Sequence, residues 1–300
     1  PQHKSSEISN TEAMKFIGPV ALKIQQSCSS EMFKLGDTYE TYRTIRYRDI
    51  EHDAIRVNSQ MLYKPKPTDE DLEAWKARLA ACGNRIASAL RGDTYAGTAD
   101  SRNTALITAA FCADAVKNGT LATLRIGNFD LPSAFVQNKL TREHTGGKQV
   151  VMKLQDNLPH PLAGHWVEVL GAIYGLPWSN HIFWLDFDET MAKAHFFPIQ
   201  IPETHCPSTP VDNHIYSRFD PNDPNRKLIV AVTVDDGLMV GQDALEFETE
   251  LIAVLKERYG SNITYKEETK DFCGASLTRD LHGALTYDLE KYIRKTIKLA

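Results

Sequence analysis

Apolar and polar positions alternate most clearly in the second half of the chain. Residues 228–234 and 238–240 are short runs rich in Leu, Ile and Val, which predicts two buried strands. Asp235, Asp236 and Gly237 lie between these runs, and Asp-Gly is a favoured pair in tight hairpin turns. The pattern therefore predicts a hairpin that presents two adjacent carboxylates at its turn.

Helical spacing predicts elements in the first half of the chain. The first 35 residues predict a helix that is interrupted at Pro19. Residues 103–118 predict a helix that stops at Gly119. The apolar stripe expected to face the core of this helix consists of Leu106, Ala109, Ala110, Ala113 and Val116.

Two more helices are expected later in the chain. Ser179 is expected to cap a helix, and its apolar positions are Ile182, Leu185, Met191 and Ala194. Asp243 and Glu246 form a variant of the capping box, so a helix is expected to begin there and to end before Gly260.

Several strands complete the pattern. Residues 120–130 predict a strand that ends on Asp130, and residues 148–155 and 166–173 predict two more. The proline-rich residues 198–214 predict a loop. Mixed strands and helices of this kind are typical of an α+β protein with an antiparallel sheet backed by helices.

One segment gives a conflicting signal. Residues 36–69 alternate polar and aromatic positions and end in Y-K-P-K-P-T-D-E-D, whose prolines and acidic run predict a loop. Leu72, Trp75 and Leu79 follow helical spacing, so the local pattern favours a helix over residues 72–85.

Composition places the chain among ordinary globular proteins. Its 300 residues, 42% hydrophobic and 24% charged, can bury one large core or two modest ones. No apolar stretch approaches the roughly 20 residues of a membrane helix, and no secretory signal is visible. The chain opens with Pro1, so we expect a fragment of a longer protein.

The cysteines favour a reducing, intracellular compartment. There are five, widely spaced and without a C-x-x-C pair, which argues against a structural zinc site. His205 and Cys206 form the only local pair that resembles metal ligands, and a loop beside Pro207 is the simpler interpretation.

The net charge of −5 argues mildly against nucleic-acid binding, although local basic clusters exist. Each cluster is either a nucleic-acid contact or a solvated face. Their members are Arg43, Arg46 and Arg48 near the start, and Lys291, Arg294, Lys295 and Lys298 near the end.

The adjacent carboxylates suggest a metal site. Carboxylate oxygens presented on rigid strands suit Mg²⁺, and Asp130 at the end of another apolar strand is the natural third ligand for Asp235 and Asp236. Three such carboxylates could hold two divalent ions for phosphoryl transfer. The alternative is an ordinary hairpin in which Asp-Gly only makes the turn.

Six blocks in order resemble the reverse transcriptase of copia-type LTR retrotransposons, over roughly residues 50–300. The blocks read YKPKPTDEDLEAWKARLAACG, DTYAGTADSR, FDLPSAFVQNKL, AIYGLPWSNHIFW, VAVTVDDGLMVG and KDFCGASLTRDLHGALTYDLEKYI. The resemblance implies a right-hand polymerase fold and a strand, rather than a helix, around Lys76 and Arg78. The separation 235 − 130 = 105 residues leaves room for the rest of a palm.

The resemblance implies roles for individual residues. Asp130, Asp235 and Asp236 match the catalytic, metal-binding acids, with two Mg²⁺ ions for which Mn²⁺ can substitute. Leu131 matches a residue whose backbone carbonyl helps to hold a metal, and Phe135 matches the ring that excludes a 2′-hydroxyl. A core aromatic is the alternative for Phe135.

Further matches concern the nucleotide and the primer. Lys76, Arg78 and Trp178 match nucleotide-binding positions, and solvated charges are the alternative for the first two. The primer-grip turn is matched by Phe272, Cys273 and Gly274. Tyr292 and Arg294 match the first thumb helix, where an ordinary amphipathic helix is the alternative.

The resemblance also divides the chain. It implies an N-terminal helical extension over residues 1–35, fingers and the first palm helix over 36–125, and a palm with an inserted fingers segment over 126–270. A primer-grip turn and the start of a thumb follow over 271–300.

Four departures from the family weaken its basic and amide contacts to nucleotide. Trp178 stands where glutamine is usual, Thr233 replaces a tyrosine, and Gly237 replaces an aliphatic residue. Leu170 and Gly171 replace lysines.

The resemblance implies an RNA-directed DNA polymerase of a retrotransposon polyprotein. Its partners would be an RNA or DNA template–primer duplex, deoxynucleoside triphosphates, and the ribonuclease H and integrase segments, with no membrane. The expected location is intracellular, in cytoplasmic virus-like particles or in the nucleus. Two alternatives stay open: a catalytically degraded nucleic-acid-binding remnant, and an unrelated α+β interaction domain with a chance Asp-Asp turn.

Overall fold

The chain has mixed α/β structure. A computed structural model describes residues 7–66, 74–91, 94, 99, 101–199, 214–223, 225–272, 275–280, 282, 284–290 and 293–294. The helices are α1 (Asn10–Ala13), α2 (Pro19–Phe33), α3 (Ser101–Asn118), α4 (Ser179–Lys193) and α5 (Leu245–Tyr259). The strands are β1 (Ile8–Ser9), β2 (Tyr42–Thr44), β3 (Ile55–Lys66), β4 (Ala74–Ala81), β5 (Leu124–Asp130), β6 (Val150–Lys153), β7 (Trp166–Val169), β8 (Phe197–Pro198), β9 (Ile215–Phe219), β10 (Lys227–Thr233), β11 (Asp236–Gln242), β12 (Thr264–Lys266), β13 (Asp271–Phe272), β14 (Ala275–Arg279) and β15 (Leu285–Asp288).

These elements form two compact units. Unit 1 consists of residues 1–95 and 135–183, and unit 2 of residues 96–134 and 184–300. The four segments implied by the resemblance are a different division of the chain and stay a prediction. Within the described residues, no helix combines the length and the apolar character needed to cross a membrane.

Unit 1 is built on a six-stranded sheet. The strand order is β1-β3-β6-β7-β2, with β4 added on β3, and only the pairing of β3 with β6 is parallel within this sheet. Helix α2 begins at Pro19, whose fixed φ suits a first helical position, and it packs against β4. The core between them includes Ile24, Met61 and Leu79, all fully buried.

The helix expected over residues 72–85 is wrong, and the strand implied by the resemblance is confirmed. Residues 74–81 form β4, which pairs along its whole length with β3. Ala77, Leu79 and Ala81 are buried, and the residues between them are more exposed. Burial at every second residue is the pattern of a strand with one face in the core. The eight residue pairs with β3 stabilise this strand more than the helical spacing of Leu72, Trp75 and Leu79 would stabilise a helix.

Unit 2 is built on an antiparallel sheet with the order β12-β5-β11-β10-β9-β8. Helices α3 and α5 both pack against β11. The core beneath α3 includes Phe111, Ile126 and Leu238, which are buried together. A separate three-stranded sheet has the order β13-β14-β15.

The expected face of α3 is wrong. Leu106 is 68% exposed and Val116 is 50% exposed, and the alanines of the predicted stripe also face outward. The buried face instead carries Thr104, Thr108, Phe111, Cys112 and Ala115. Burying one Phe ring removes more apolar area from water than burying alanines, so the ring decides which face packs.

The other helix predictions are confirmed in position but not in every detail. Helix α4 begins at Ser179, yet the Ser179 hydroxyl donates to the Ile173 carbonyl at 2.6 Å. Helix α5 is capped by Ala244, without a side-chain hydrogen bond, so the predicted capping box from Asp243 is wrong. Gly260 ends this helix with a φ of 93°, as expected.

The hairpin turn lies earlier than the sequence pattern predicts. Strand β10 ends at Thr233, the two turn residues are Val234 and Asp235, and Asp236 already pairs with Thr233 at the start of β11. The predicted turn at residues 235–237 is therefore wrong. The shift places Asp236 inside the sheet rather than at the tip of a loop.

Candidate active site

Three acidic residues from distant parts of the sequence meet at one edge of the unit 2 sheet. Asp236, the first residue of β11, pairs with Asp130, the last residue of β5. Residues directly opposite in an antiparallel pair carry their side chains on the same face. Asp235 precedes Asp236 in the turn. We call Asp130, Asp235 and Asp236 the acidic edge.

Backbone hydrogen bonds fix the turn onto the end of β5. The Leu131 N–H donates to the Asp235 carbonyl at 2.9 Å. The Leu131 carbonyl, expected from the resemblance to help hold a metal, accepts a long 3.4 Å bond from the Ala134 N–H. Leu131 itself is fully buried, which anchors the strand end.

The acidic edge is electrostatically unfavourable without a cation. Burial, the charges of Asp235 and Asp130, and a hydrogen bond to the Asp130 carboxyl together raise the pKa of Asp236 to about 6. A carboxyl group that is half-buried beside two like charges resists ionisation. The edge therefore concentrates negative charge that a divalent cation would neutralise.

The fit to a metal ion is good in chemistry and incomplete in geometry. Hard carboxylate oxygens are the ligands that Mg²⁺ prefers. In the described parts of the chain, however, neither these side chains nor any other three or more His, Cys, Asp and Glu side chains are arranged to hold a metal ion. A cation at this edge would require the carboxylates to converge further.

The turn carries backbone strain next to the acids. Val234 has a φ of 59°, and Asp235 has no positive φ, which is the pattern of a type II′ hairpin turn. Glycine is usual at the first central position, and a positive φ is a clear outlier for a β-branched residue. Residues with strained backbone conformations cluster at active sites and ligand-binding segments.

The glycine at 237 has a local structural cause. Gly237 pairs with Phe129 across β11 and β5. A Cβ atom at position 237 would lie 2.1 Å from the Phe129 ring, which is fully buried. Glycine at position 237 therefore accommodates an aromatic ring beneath the acidic edge.

A polar network links β5, β12 and α5. Arg125 on β5 binds Glu248 of α5 at 2.9 Å and Glu267 at 3.1 Å. Tyr265 on β12 donates a hydrogen bond to Glu248. Because β12 pairs Thr264 with Asp130, this network also supports the strand next to the candidate site.

Unit 1 contains the candidate nucleotide-binding residues, and two of them are linked by a residue that the sequence reasoning missed. The Arg78 guanidinium lies 4.6 Å from the centre of the Tyr174 ring. Tyr174 packs on Phe135 with ring centres 5.7 Å apart, and Phe183 also packs on Phe135 with ring centres 5.0 Å apart. Tyr174 belongs to the quoted block AIYGLPWSNHIFW, so its position in that block was an available signal.

The remaining nucleotide candidates differ in exposure. Lys76 is exposed on β4, and Arg78 is partly exposed and 3.8 Å from Glu7. Phe135 and Trp178 are buried, with 6% and 1% of their surfaces exposed. A direct ring contact with nucleotide is thus open to neither aromatic residue without a change in the surrounding packing.

The other predicted residues are only partly described. Phe272 ends β13 and is buried in the core of unit 2. Arg294 forms an ion pair with Glu290. Cys273, Gly274, Tyr292, Lys291, Lys295, Lys298 and the pair His205 and Cys206 lie outside the described residues.

The N-terminal basic cluster carries ion pairs. Arg43 contacts Glu168 at 2.6 Å, and Arg46 and Arg48 contact Asp49 at 3.5 and 3.7 Å. These pairs neutralise much of the positive charge that the sequence pattern placed there.

No protein-family model and no curated protein matches the sequence. Among solved structures, the chain is similar to telomerase from Candida albicans in complex with a TWJ fragment of telomeric RNA, with a TM-score of 0.48 and 11% identity. The similarity covers 87% of this chain and 50% of that chain, so this chain spans half the length of that structure. A TM-score this low establishes neither a shared fold nor a shared activity.

Proposed function

We propose that the chain is an RNA-directed DNA polymerase domain that extends a primer with deoxynucleotides. One observation carries the proposal: Asp236 pairs with Asp130 in the sheet, and the Asp235 carbonyl is bonded to Leu131. Acids 105 residues apart, 235 − 130, have little reason to meet at a half-buried edge unless a cation offsets their repulsion.

The acidic edge would hold the metal. Asp130, Asp235 and Asp236 would be the ligands, with the Leu131 carbonyl as a further oxygen. Two Mg²⁺ ions, or Mn²⁺ in their place, would supply charge neutralisation for phosphoryl transfer. The chain's own task is to keep these oxygens rigid, and the paired strands and the bonded turn supply that rigidity.

The finer parts of the proposal rest on the resemblance of the six sequence blocks. The fold would be a right hand with fingers, palm and the start of a thumb. Lys76, Arg78, Phe135 and Trp178 would serve the nucleotide, and Phe272, Cys273 and Gly274 the primer strand. The partners would be a template–primer duplex and deoxynucleoside triphosphates.

The proposal extends to the biological setting of a copia-type retrotransposon. The domain would belong to a polyprotein with ribonuclease H and integrase segments. It would act in cytoplasmic virus-like particles or in the nucleus.

A second candidate is a catalytically degraded remnant that binds nucleic acid without extending it. Two observations favour it. The acidic side chains are not arranged as three metal ligands in the described residues, and Trp178 and Thr233 replace the glutamine and tyrosine usual in the resembled family. Under this reading the acids are an inherited feature of the fold.

Primer extension on an RNA template separates the candidates. With Mg²⁺ and deoxynucleotides, the wild-type chain is expected to lengthen a labelled DNA primer. Asp235→Asn and Asp130→Asn should each lower the rate by at least about 100-fold, because each removes charge from the reacting centre. Glu257→Gln, an exposed change on α5, should leave the rate unchanged.

The negative results differ for each alternative. Template binding without product in either Mg²⁺ or Mn²⁺ supports the remnant. The absence of both binding and product would support an unrelated interaction domain.

A further inference from the structure

Unit 1 contains a groove that the proposed polymerase chemistry does not use. Its volume is about 930 Å³, and it lies at the edge of the sheet where β2 pairs with β7. Two aromatic rings, two guanidinium groups and an imidazole line it, and they belong to Tyr47, Trp166, Arg43, Arg46 and His165. All of these residues are part of unit 1, so the groove is formed within one compact unit.

The two rings form an exposed pair that we call the aromatic platform. Tyr47 and Trp166 pack with ring centres 6.4 Å apart and ring planes tilted by 55°. Tyr47 is 70% exposed, although its ring is large and mostly apolar. The Ile45 N–H donates to the Trp166 carbonyl at 3.1 Å, which holds the two segments together. Exposed rings on a fixed backbone offer flat surfaces on which unpaired bases can stack.

A buried acid orients the first guanidinium group of the groove. Nε and Nη2 of Arg43 both contact Oε2 of Glu168, at 2.8 and 2.6 Å. Glu168 is buried, whereas the Arg43 side chain is 67% exposed. Nη1 lies outside this contact, and a guanidinium group donates through five N–H groups in one fixed plane. Arg43 therefore presents oriented donors to solvent, which suits the binding of a phosphate oxygen.

The second guanidinium group of the groove shares its counter-ion. Arg46 and Arg48 both lie near Asp49, at 3.5 and 3.7 Å, and all three side chains are more than half exposed. Asp49 also lines the groove and opposes anion binding. Exposed ion pairs at such distances are weak, and one carboxylate cannot neutralise two guanidinium groups. One positive charge next to the aromatic platform therefore remains uncompensated.

The distribution of charge over the chain favours unit 1 for contact with a polyanion. Unit 1 has 18 Lys and Arg residues and 16 Asp and Glu residues, so its net charge is 18 − 16 = +2. Unit 2 has 16 and 23 of these residues, so its net charge is 16 − 23 = −7. The negative charge of the whole chain therefore comes from unit 2, and a polyanion is repelled less by unit 1.

We propose that this groove binds an unpaired segment of a nucleic-acid strand, with a base stacked on the aromatic platform and a phosphate bound by Arg43. Bases within a duplex stack on one another and are closed to side-chain rings, so the platform fits a single strand better than a duplex. An acidic peptide would meet the same charges but would leave the rings without a base to stack on. The site goes beyond the proposed polymerase activity, since binding requires neither metal nor turnover.

Photo-cross-linking of the full chain tests where the strand binds. A short oligo(dT) strand that carries one 5-iododeoxyuridine is irradiated with the protein in EDTA, and the cross-linked peptides are identified by mass spectrometry. The iodinated base couples to aromatic side chains that it contacts. We expect cross-links to Tyr47 or Trp166. The absence of cross-links to both residues at a saturating concentration of strand overturns the proposal.

Three variants separate stacking from charge. The strand concentration at half-maximal cross-linking in the groove measures affinity at this site alone. Tyr47→Ala should raise that concentration by about 5-fold or more through the loss of a stacking surface, whereas Tyr47→Phe keeps the ring and should leave it unchanged. Arg43→Ala should also raise it, and should reduce the slope of log affinity against log salt concentration by about 0.7 through the loss of one phosphate contact.

Phe33→Ala and Lys15→Ala are the matched controls. Phe33 is an exposed ring of unit 1 and Lys15 an exposed cation, and both lie outside the groove. Both variants should bind the strand as the wild type does. Unchanged affinity in Tyr47→Ala, or equal losses in the controls and in the groove variants, overturns the proposal.

Two competitors identify the class of partner. A duplex of the same length and polyglutamate are each added to the cross-linking reaction, and both should displace the strand less well than unlabelled oligo(dT) does. Equal displacement by the duplex contradicts a site for unpaired strands, and equal displacement by polyglutamate favours an acidic protein instead. Cross-linking without primer extension would overturn only the polymerase proposal, and primer extension without cross-linking in the groove would overturn only this one.

Discussion

At the scale of single residues, Asp236 determines how the acidic edge responds to pH. Its pKa is raised to about 6 by burial and by its acidic neighbours, above the ordinary aspartate value of 3.8. The folded state therefore binds a proton more tightly than the unfolded chain. This contribution to stability is complete below about pH 4 and is lost as the pH rises through about 6.

We expect Asp236→Asn to abolish that pH dependence. In EDTA at pH 7 it should raise the free energy of unfolding by about 1–2 kcal/mol, a value discounted for the solvent exposure of a half-buried group. Urea unfolding between pH 4 and 7 measures both effects. The exposed change Glu257→Gln should leave the pH profile as in the wild type, and a profile equally steep in Asp236→Asn would refute the assignment.

Val234 stores strain beside the same acids. Its φ of 59° costs about 1–3 kcal/mol for a β-branched residue, whereas glycine adopts this backbone freely at a cost of about 0.5–1 kcal/mol in unfolded-state entropy. Val234→Gly should therefore stabilise the chain by about 1 kcal/mol in urea unfolding.

The matched control lies two residues earlier in the hairpin. Val232 is buried in β10, so Val232→Gly should destabilise the chain by at least about 2 kcal/mol. An equal loss of stability in both variants would mean that the Val234 backbone is not strained.

At the scale of elements, Gly237 on β11 leaves the space that the ring of Phe129 on β5 occupies. Gly237→Ala should cost about 3 kcal/mol, because its Cβ would lie 2.1 Å from the Phe129 ring. Phe129→Leu should relieve part of this clash. The double variant is thus expected to be at least about 1 kcal/mol more stable than the sum of the single effects.

Denaturant unfolding of the four proteins in that cycle measures the coupling. Phe129→Leu combined with Gly119→Ala is the control, since open space surrounds Gly119 and the two changes should be additive. Additive effects at Phe129 and Gly237 would contradict the claim that the Phe129 ring fills the space beside Gly237.

The sequence predicted most elements but not always their faces or ends. The strand ending at Asp130 and the helices at Ser179 and before Gly260 follow from local apolar runs and stop signals. Whether residues 74–81 form a strand or a helix depends on their pairing with β3, which the local spacing of apolar residues cannot reveal. The alanine stripe of α3 likewise predicts the wrong buried face. The face with Phe111 is buried because the rest of unit 2 packs against that ring, and this contact has no local signal in the sequence.

At the scale of the whole molecule, the candidate residues are divided between the two units. The acidic edge belongs to unit 2, whereas Lys76, Arg78, Phe135 and Trp178 belong to unit 1. The sequence alone suggested that Asp130 joins Asp235 and Asp236, because apolar strands lead to each of them. The register that pairs Asp130 with both Asp236 and Thr264 is a long-range feature with no local signal.

The most direct test of the central claim is anomalous diffraction from crystals of the full chain soaked in Mn²⁺. We predict anomalous density among the carboxylates of Asp130, Asp235 and Asp236, and its loss in crystals of Asp235→Asn. Well-ordered carboxylates with no anomalous density between them would contradict the account.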